Sequence, residues 1–120
     1  MIGDTLFFGS HDGSQYALDS ATGQLKWRFR AEPLPNRVRS SCHYLDGRTY
    51  FGDNYTRVRC LDAATGREIW STRLSDRRGM QMFCSVAVHD GKVLTGFSSN
   101  MESGEIACLD AETGAVRWCF

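Results

Sequence analysis

The 120-residue sequence lacks net charge and lacks a long apolar run. Its 14 basic and 14 acidic residues balance to +0 at pH 7, so no overall field favours nucleic acid or an anionic membrane surface. No apolar stretch approaches the roughly 20 residues of a membrane-spanning helix. Residues 1–4 lack the basic region and apolar core of a secretory signal. We therefore expect no nucleic-acid partner and no membrane span, and the compartment stays unknown.

Patterns that indicate disulfides, metal sites, helices or common active sites are also missing. The five cysteines include neither an adjacent pair nor a C-x-x-C motif, which argues against a disulfide framework. His11, His43 and His89 do not have the spacing of metal ligands. No interval keeps the i, i+3, i+4 apolar period of a helix for ten residues. There is no G-x-S-x-G, phosphate-binding glycine loop or H-E-x-x-H motif, so the sequence predicts no catalytic residue.

The sequence does contain one segment written three times. Residues 17–27 read ALDSATGQLKW, residues 60–70 read CLDAATGREIW, and residues 108–118 read CLDAETGAVRW. Recurrence at this period indicates a repeat architecture, in which each unit buries its faces by stacking on its neighbours. Cys60 and Cys108 stand where the first copy has Ala17, which favours small apolar core positions for both.

Each repeat predicts a four-stranded antiparallel meander. In the second repeat, Asp46-Gly47 is a two-residue hairpin turn. Asp62 opens a longer turn in which its side chain can accept backbone N–H bonds, and Gly66 tolerates a positive φ. The first unit is short, with only residues 1–2 where an innermost strand belongs. About eleven strands and no helix are predicted, at residues 5–9, 15–18 and 24–29; 38–45, 48–52, 57–61 and 67–72; and 82–89, 92–96, 105–109 and 115–120.

The motif A/C-L-D-x-x-T-G-x-x-x-W, in three register-matched copies, resembles the pyrroloquinoline quinone (PQQ)-like β-propeller repeat. The resemblance implies an all-β fold of propeller blades, with residues 1–120 as one repeat segment and blades at about 1–30, 38–73 and 82–120. It also implies that each tryptophan packs between neighbouring blades and that the aspartate and glycine shape the turn on which the ring rests. The nine structural residues so predicted are Asp19, Gly23, Trp27, Asp62, Gly66, Trp70, Asp110, Gly114 and Trp118.

Three blades do not close a ring, because propellers typically have four to eight. The sequence therefore predicts a partial propeller whose open flanks are covered either by the remaining blades of a larger protein or by self-association. Uncovered apolar flanks favour association of the isolated chain.

The resemblance leaves two functions open. The first is a non-catalytic propeller segment that serves as a scaffold or protein-interaction surface, with no cofactor. The alternative is part of the propeller of a PQQ- and calcium-dependent alcohol or sugar dehydrogenase. For calcium, only the loop around Glu102 offers a weak candidate ligand, and the adjacent cysteines found beside the quinone in many such enzymes are missing. The sequence favours the first function and identifies no protein partner.

Overall fold

The computed structural model describes residues 5–10, 13–30, 42–53, 56–74, 80–81, 86–99 and 105–119. Within these ranges the chain forms twelve strands and no helix. Consequently no described segment is a helix long and apolar enough to cross a bilayer. The strands form three antiparallel sheets, which we call blades 1, 2 and 3.

Strands that are consecutive in sequence lie side by side in the first two blades. Blade 1 has the order β1-β2-β3, with β1 at Thr5–Gly9, β2 at Ser14–Asp19 and β3 at Leu25–Arg30. Blade 2 has the order β4-β5-β6-β7, with β4 at His43–Leu45, β5 at Arg48–Gly52, β6 at Arg57–Asp62 and β7 at Glu68–Arg73. Blade 2 is the predicted four-stranded meander, and the described part of blade 1 lacks the innermost strand, as the sequence predicts.

Blade 3 departs from the predicted meander on its inner side. It contains β8 at Met80–Gln81, β9 at Ala87–His89, β10 at Lys92–Ser99, β11 at Glu105–Asp110 and β12 at Val116–Cys119. The strand predicted for residues 82–89 is described only at residues 86–89, of which 87–89 form β9. β10 continues three residues beyond the predicted end at Gly96, because its far end pairs with β8 at Ser98↔Gln81 and Ser99↔Met80. This extra pairing gives twelve described strands rather than about eleven.

The innermost hairpins of blades 2 and 3 use the same tight turn. Asp46 and Gly47 have φ values of 50° and 79°, and Asp90 and Gly91 have values of 52° and 73°. Two consecutive positive φ values define a turn whose twist matches that of the flanking strands, and Asp-Gly tolerates it. The turns therefore end β4 and β9 where the sequence predicts.

The core lies between the blades, in two apolar clusters. One cluster joins Ala17 and Trp27 of blade 1 to Phe51 and Leu61 of blade 2. The other joins blade 2 to blade 3 through residues that include Tyr50, Val58, Trp70, Val93 and Leu109. Within the described part of the chain, blade 2 is thus covered on both faces, whereas each end blade is covered on one. The protein is an all-β, partial propeller that does not close into a ring.

Candidate functional site: the seams between blades

The three repeated turns have the same hydrogen bonds, set by the aspartate and the threonine of each copy. Asp62 Oδ1 accepts from the backbone N–H groups of Ala64 and Thr65 at 2.8 and 3.3 Å, and Thr65 Oγ1 accepts from Arg67 N–H at 3.2 Å. Gly66 N–H donates to the Asp62 carbonyl at 2.8 Å. The corresponding bonds form around Asp19 and Asp110. The same hydrogen bonds therefore hold all three turns. We call the turn from the aspartate to the glycine, at the outer end of each blade, the shelf of that blade.

A tryptophan from the preceding blade lies on this shelf. Trp27 of blade 1 donates its indole N–H to the Ala63 carbonyl of blade 2 at 2.9 Å. A Cβ built on Gly66 would lie 2.5 Å from the Trp27 ring, closer than real Cβ contacts allow. Gly66 also has φ +77°, which disfavours a side chain. The position therefore requires glycine for both conformation and space.

The same contact recurs between blades 2 and 3. Trp70 donates its indole N–H to the Ala111 carbonyl at 2.9 Å, and a Cβ on Gly114 would lie 2.5 Å from the Trp70 ring. A second bond reinforces this seam, since Thr72 Oγ1 donates to the Gly114 carbonyl at 2.5 Å. We define a seam as this tryptophan-on-shelf contact together with the apolar cluster beside it.

The two ends of the chain carry the remaining shelf and the remaining tryptophan. A Cβ on Gly23, at φ +76°, would meet nothing within 4 Å. Trp118 is 42% exposed, against 8% for Trp27 and 9% for Trp70. The structure thus brings six of the nine predicted residues together at two seams, Trp27 with the Asp62–Gly66 shelf and Trp70 with the Asp110–Gly114 shelf. Asp19, Gly23 and Trp118 lie at the open flanks.

A buried ion network lies in the seam of blades 1 and 2. Arg59 Nε lies 3.3 Å from Asp53 Oδ2, and Arg59 Nη1 lies 2.9 Å from Glu68 Oε1. The Asp53 side chain is fully buried, and the Arg59 side chain is 6% exposed. The guanidinium also lies over the Phe29 ring of blade 1, 5.2 Å from its centroid. The charge is thus compensated inside the protein and packed against an aromatic ring of the neighbouring blade.

Sequence reasoning did not predict this network. Equivalent positions in the other blades hold Tyr16 and Ala107, each three residues before the aspartate of its repeat, so Arg59 has no counterpart in the repeat. The signal was available as Arg59 in a strand whose neighbouring residues Val58 and Cys60 are apolar, directly before the repeat motif begins at Cys60. The carbonyl acceptors at Ala63 and Ala111 could not be found in the same way, because backbone oxygens have no residue signature.

Each seam has a surface cleft at the end where the shelves lie. The cleft between blades 1 and 2 has a volume of about 330 Å³ and is lined by residues that include Phe7, Lys26 and Tyr44. The cleft between blades 2 and 3 has a volume of about 300 Å³ and is lined by residues that include Tyr50 and Val88. Phe7 and Tyr50 occupy equivalent strand positions, because Phe7 pairs with Ala17 and Tyr50 pairs with Cys60. The clefts are therefore a product of the repeat.

The cysteines within the described residues are reduced and mostly buried. Cys42, Cys60 and Cys108 are free thiols. Burial raises the pKa of the Cys60 thiol from 9.0 to about 11, and burial likewise raises the pKa of Cys42. Cys60 and Cys108 lie within the sheets at full or nearly full burial, which agrees with their prediction as small apolar core residues. A thiol with a raised pKa is a poor nucleophile at neutral pH.

Asp110 is the carboxyl group whose surroundings favour its charged form. The N–H groups of Glu112 and Thr113, with the Arg117 guanidinium at 3.3 Å, hold the pKa of Asp110 below its usual range. Two of these bonds belong to the shelf and the third comes from Arg117 in β12, so the lowered pKa follows from the turn and its neighbouring strand.

Glu102 is the weak calcium candidate of the sequence, and His11, His43 and His89 are its three histidines. Glu102 and His11 lie outside the described residues. His43 lies in β4 and His89 in β9, on different blades. Among the described residues, no group of three or more His, Cys, Asp or Glu side chains could hold a metal ion.

Comparison with known proteins matches nearly the whole chain to a recognised repeat family. The family model described as outer membrane protein assembly factor BamB, a PQQ-type repeat, matches residues 2–119. A polyvinylalcohol dehydrogenase of Pseudomonas sp. is 32% identical over 98% of this chain and 21% of its own length. The dehydrogenase subunit of a quinone alcohol dehydrogenase of Gluconobacter oxydans is 32% identical over 87% of this chain and 16% of its own length. The chain therefore spans about a fifth of these relatives.

Solved structures share the fold at lower identity. A europium-containing methanol dehydrogenase superposes with a TM-score of 0.87 at 23% identity, over 99% of this chain and 23% of that protein. BamB from Moraxella catarrhalis superposes with a TM-score of 0.74 at 24% identity, over 98% of this chain and 34% of that protein. The three sheets are arranged as blades are in these larger proteins.

Proposed function

The chain belongs to the PQQ-type repeat family of outer membrane protein assembly factor BamB, and on that premise we propose that it supplies three adjacent blades of a larger propeller wall. Its own role is that of a non-catalytic scaffold, which positions loops and flanks for other parts of the protein or for a protein partner. Residues 1–120 act as one repeat segment in this proposal, with blades near 1–30, 38–73 and 82–120.

One observation supports this proposal: the same contact between neighbouring blades occurs twice in the chain, with equivalent atoms. Trp27 and Trp70 each donate to a carbonyl of the next blade at 2.9 Å, and each rests on a glycine that leaves no room for a Cβ. Repeat proteins gain their stability from such nearest-neighbour interfaces. Six of the nine recurring residues are thus used at the two seams, which supports a structural role for the repeat motif.

A double-mutant cycle on the second seam tests this role. Trp70→Ala is expected to cost about 3–5 kcal/mol of unfolding free energy, because it removes a buried ring. Gly114→Ala alone is expected to cost about 2–4 kcal/mol, since it adds overpacking to positive-φ strain. In the double variant the added methyl meets no ring, so the costs should fall short of additivity by about 1 kcal/mol or more. Additive costs in urea unfolding would contradict a packing role for the pair.

The second candidate function is part of a quinone-dependent alcohol dehydrogenase propeller. It is favoured by the 32% identity with the polyvinylalcohol dehydrogenase and with the quinone alcohol dehydrogenase subunit. PQQ would supply two-electron oxidation of an alcohol in that protein, with calcium beside it. The described residues of this chain do not by themselves fit a calcium ion, because no three of their His, Cys, Asp or Glu side chains form a group that could hold a metal. In this candidate the chain again forms part of the propeller wall, and blades outside this chain supply the catalytic residues.

Dye-linked oxidation tests whether the 120-residue chain carries a catalytic centre of its own, which neither candidate expects. The 120-residue chain is mixed with PQQ and calcium and supplied with polyvinyl alcohol or with ethanol. We expect no dye reduction above the level of PQQ and calcium alone. Dye reduction that requires the folded chain would overturn the scaffold assignment and favour the dehydrogenase. The control is the Trp70→Ala variant unfolded in urea, in which this reduction should be lost.

A further inference from the structure

The outer half of blade 2 carries two arginines directly opposite each other. Arg57 of β6 pairs in register with Arg73 of β7. Both lie on the face that turns toward blade 1, as does Arg59, whose guanidinium packs on the Phe29 ring. The Cβ atoms of such a pair are about 5 Å apart, and like charges in this arrangement destabilise a sheet. The stability of the sheet therefore does not explain the pair.

The repeat does not require this pair either. The equivalent positions in blade 1 are Ser14 and Arg30, which pair in the same register. In blade 3 the position of Arg57 is taken by Glu105, five residues before the aspartate of its repeat. An arginine on both strands is thus particular to blade 2 among the three blades.

Two carboxylates lie close to this face, and both are in contact with a third arginine. Asp53 Oδ2 and Glu68 Oε1 lie 3.3 and 2.9 Å from the Arg59 guanidinium. Within the described part of the chain, Arg57 and Arg73 belong to no ion pair. Three guanidinium groups thus share two carboxylates, and the two at the end of the strands have none in contact.

The donors at this end of the strands belong to side chains. Arg57 is half-buried and Arg73 is exposed. Arg57 Nη1 donates to Ser71 Oγ at 3.1 Å, which holds its guanidinium beside β7. The backbone N–H of Arg57 is already used, because it donates to Asp53 Oδ1 at 3.1 Å.

This set of donors fits a carboxylate better than a phosphate. A guanidinium presents two parallel N–H groups that match the two oxygens of a planar carboxylate. Phosphate sites commonly add several backbone N–H groups from a helix N-terminus or a glycine-rich loop, and the described strands here use theirs in the sheet.

We propose that Arg57 and Arg73 form a docking site for an acidic protein segment from outside this chain, with one aspartate or glutamate carboxylate against each guanidinium. Two carboxylates balance the two charges and remove the repulsion between them. Such complementarity contributes specificity and orientation more than affinity. The site lies beside the seam of blades 1 and 2, away from the open faces of the end blades. The proposal rests on the scaffold role and gives the chemistry of the partner that this surface accepts.

Three substitutions test the pair, and a fourth is their control. Arg57→Gln and Arg73→Gln each remove one guanidinium, and Arg73→Lys keeps the charge but removes the planar pair of donors. Arg30→Gln is the matched control. Arg30 is also exposed and also ends an outermost strand, but the residue opposite it is Ser14. All four variants should keep the far-UV circular dichroism of the unmodified chain.

Urea unfolding at low ionic strength measures the repulsion within the pair. Arg73→Gln should raise the urea midpoint above that of the unmodified chain, and the gain should shrink as sodium chloride is added. Arg30→Gln should leave the midpoint unchanged. A lower midpoint for Arg73→Gln would show that its charge is already compensated within the chain, and would overturn the proposal.

The fluorescence anisotropy of a dye-labelled hexaglutamate peptide measures docking at low ionic strength. We expect the unmodified chain and Arg30→Gln to bind it equally. Arg57→Gln and Arg73→Gln should each raise the dissociation constant roughly threefold to fivefold, and Arg73→Lys should raise it by a smaller factor. A labelled hexalysine peptide should not bind. Absence of hexaglutamate binding, or an equal loss in Arg30→Gln, would overturn the proposal.

Competition identifies the anion that the site prefers. At equal ionic strength, glutarate should displace the hexaglutamate peptide at a lower concentration than inorganic phosphate does. More effective displacement by phosphate would overturn the assignment of a carboxylate ligand. Failure of these tests would leave the double-mutant cycle at Trp70 and Gly114 unaffected, because that cycle measures packing in the seam of blades 2 and 3.

Discussion

At the scale of single residues, the glycines of the shelves allow two costs of a side chain to be measured separately: the cost of a left-handed backbone conformation and the cost of a steric clash. Gly23 and Gly66 have nearly the same φ, +76° and +77°, but only Gly66 lies under a tryptophan ring. Gly23→Ala is expected to lower the unfolding free energy by about 1–2 kcal/mol, the cost of a left-handed backbone conformation. Gly66→Ala should lower it by about 1–3 kcal/mol more, because the Trp27 ring must move.

Urea unfolding of the two variants, followed by circular dichroism under conditions where the chain is monomeric, checks this difference. The shared φ makes Gly23→Ala an internal control for backbone strain. Equal losses of stability would mean that the Trp27 ring moves away at no cost, and that the seam is looser than the contact implies.

The Cys60 thiol gives a pH dependence with a definite sign. Its folded pKa is raised to about 11 from 9.0, so the unfolded chain releases its proton at lower pH than the folded chain. The contribution of Cys60 to stability is therefore complete below about pH 9 and is lost as the pH rises from 9 to 11. Cys60→Ala should show a shallower alkaline loss of stability, and the equivalent Ala17 indicates that alanine fits this strand position. The urea midpoints of the unmodified chain and of Cys60→Ala, measured from pH 8 to pH 11, test this prediction. Parallel pH profiles for the two proteins would refute the burial argument.

At the scale of strands and sheets, the sequence was sufficient where the repeat was regular. The motif predicts the ends of β2, β6 and β11 to within one residue. They lie at Asp19, Asp62 and Asp110 rather than at residues 18, 61 and 109, because the aspartate side chain binds the turn that follows. The innermost strands were harder to predict. β8 and the long β10 depend on pairing between residues far apart in sequence, at Ser98↔Gln81, which no local pattern records. Glu102, the weak calcium candidate, and the part of the predicted strand at residues 38–41 lie outside the described residues and stay predictions.

The Arg59 network was also not predicted from the sequence. The ion pair between Asp53 and Arg59 depends on the β5–β6 hairpin, and the spacing of the two residues in the sequence does not indicate it. Its two carboxylates differ in burial, which gives a prediction. Asp53→Asn should lower the unfolding free energy by about 3 kcal/mol, because it leaves the Arg59 charge buried with one partner fewer. Glu68→Gln should cost about 1 kcal/mol or less, because the Glu68 side chain is 35% exposed and water can replace it.

Both substitutions are isosteric and remove one charge, so each serves as the control of the other. Chemical denaturation at neutral pH is the measurement. A larger loss for Glu68→Gln than for Asp53→Asn would show that the exposed carboxylate holds the guanidinium, and that the buried pair contributes little net stability.

At the scale of the whole molecule, stability should be greatest in the middle and lowest at the ends. Blade 2 is packed on both faces, and β5 and β6 are buried along almost their whole length. In β1, by contrast, half-buried and exposed residues alternate, because the far face of blade 1 is open. In arrays of repeats each unit is stabilised by its neighbours, so a unit with two neighbours opens less often than a unit with one.

Hydrogen exchange followed by mass spectrometry tests this order. At low chain concentration, peptides from β5 and β6 should exchange more slowly than peptides from β1–β3 and from β11–β12. Uniform exchange across the three blades at low concentration would contradict the open array, since it requires the flanks of blades 1 and 3 to be as well supported as the faces of blade 2.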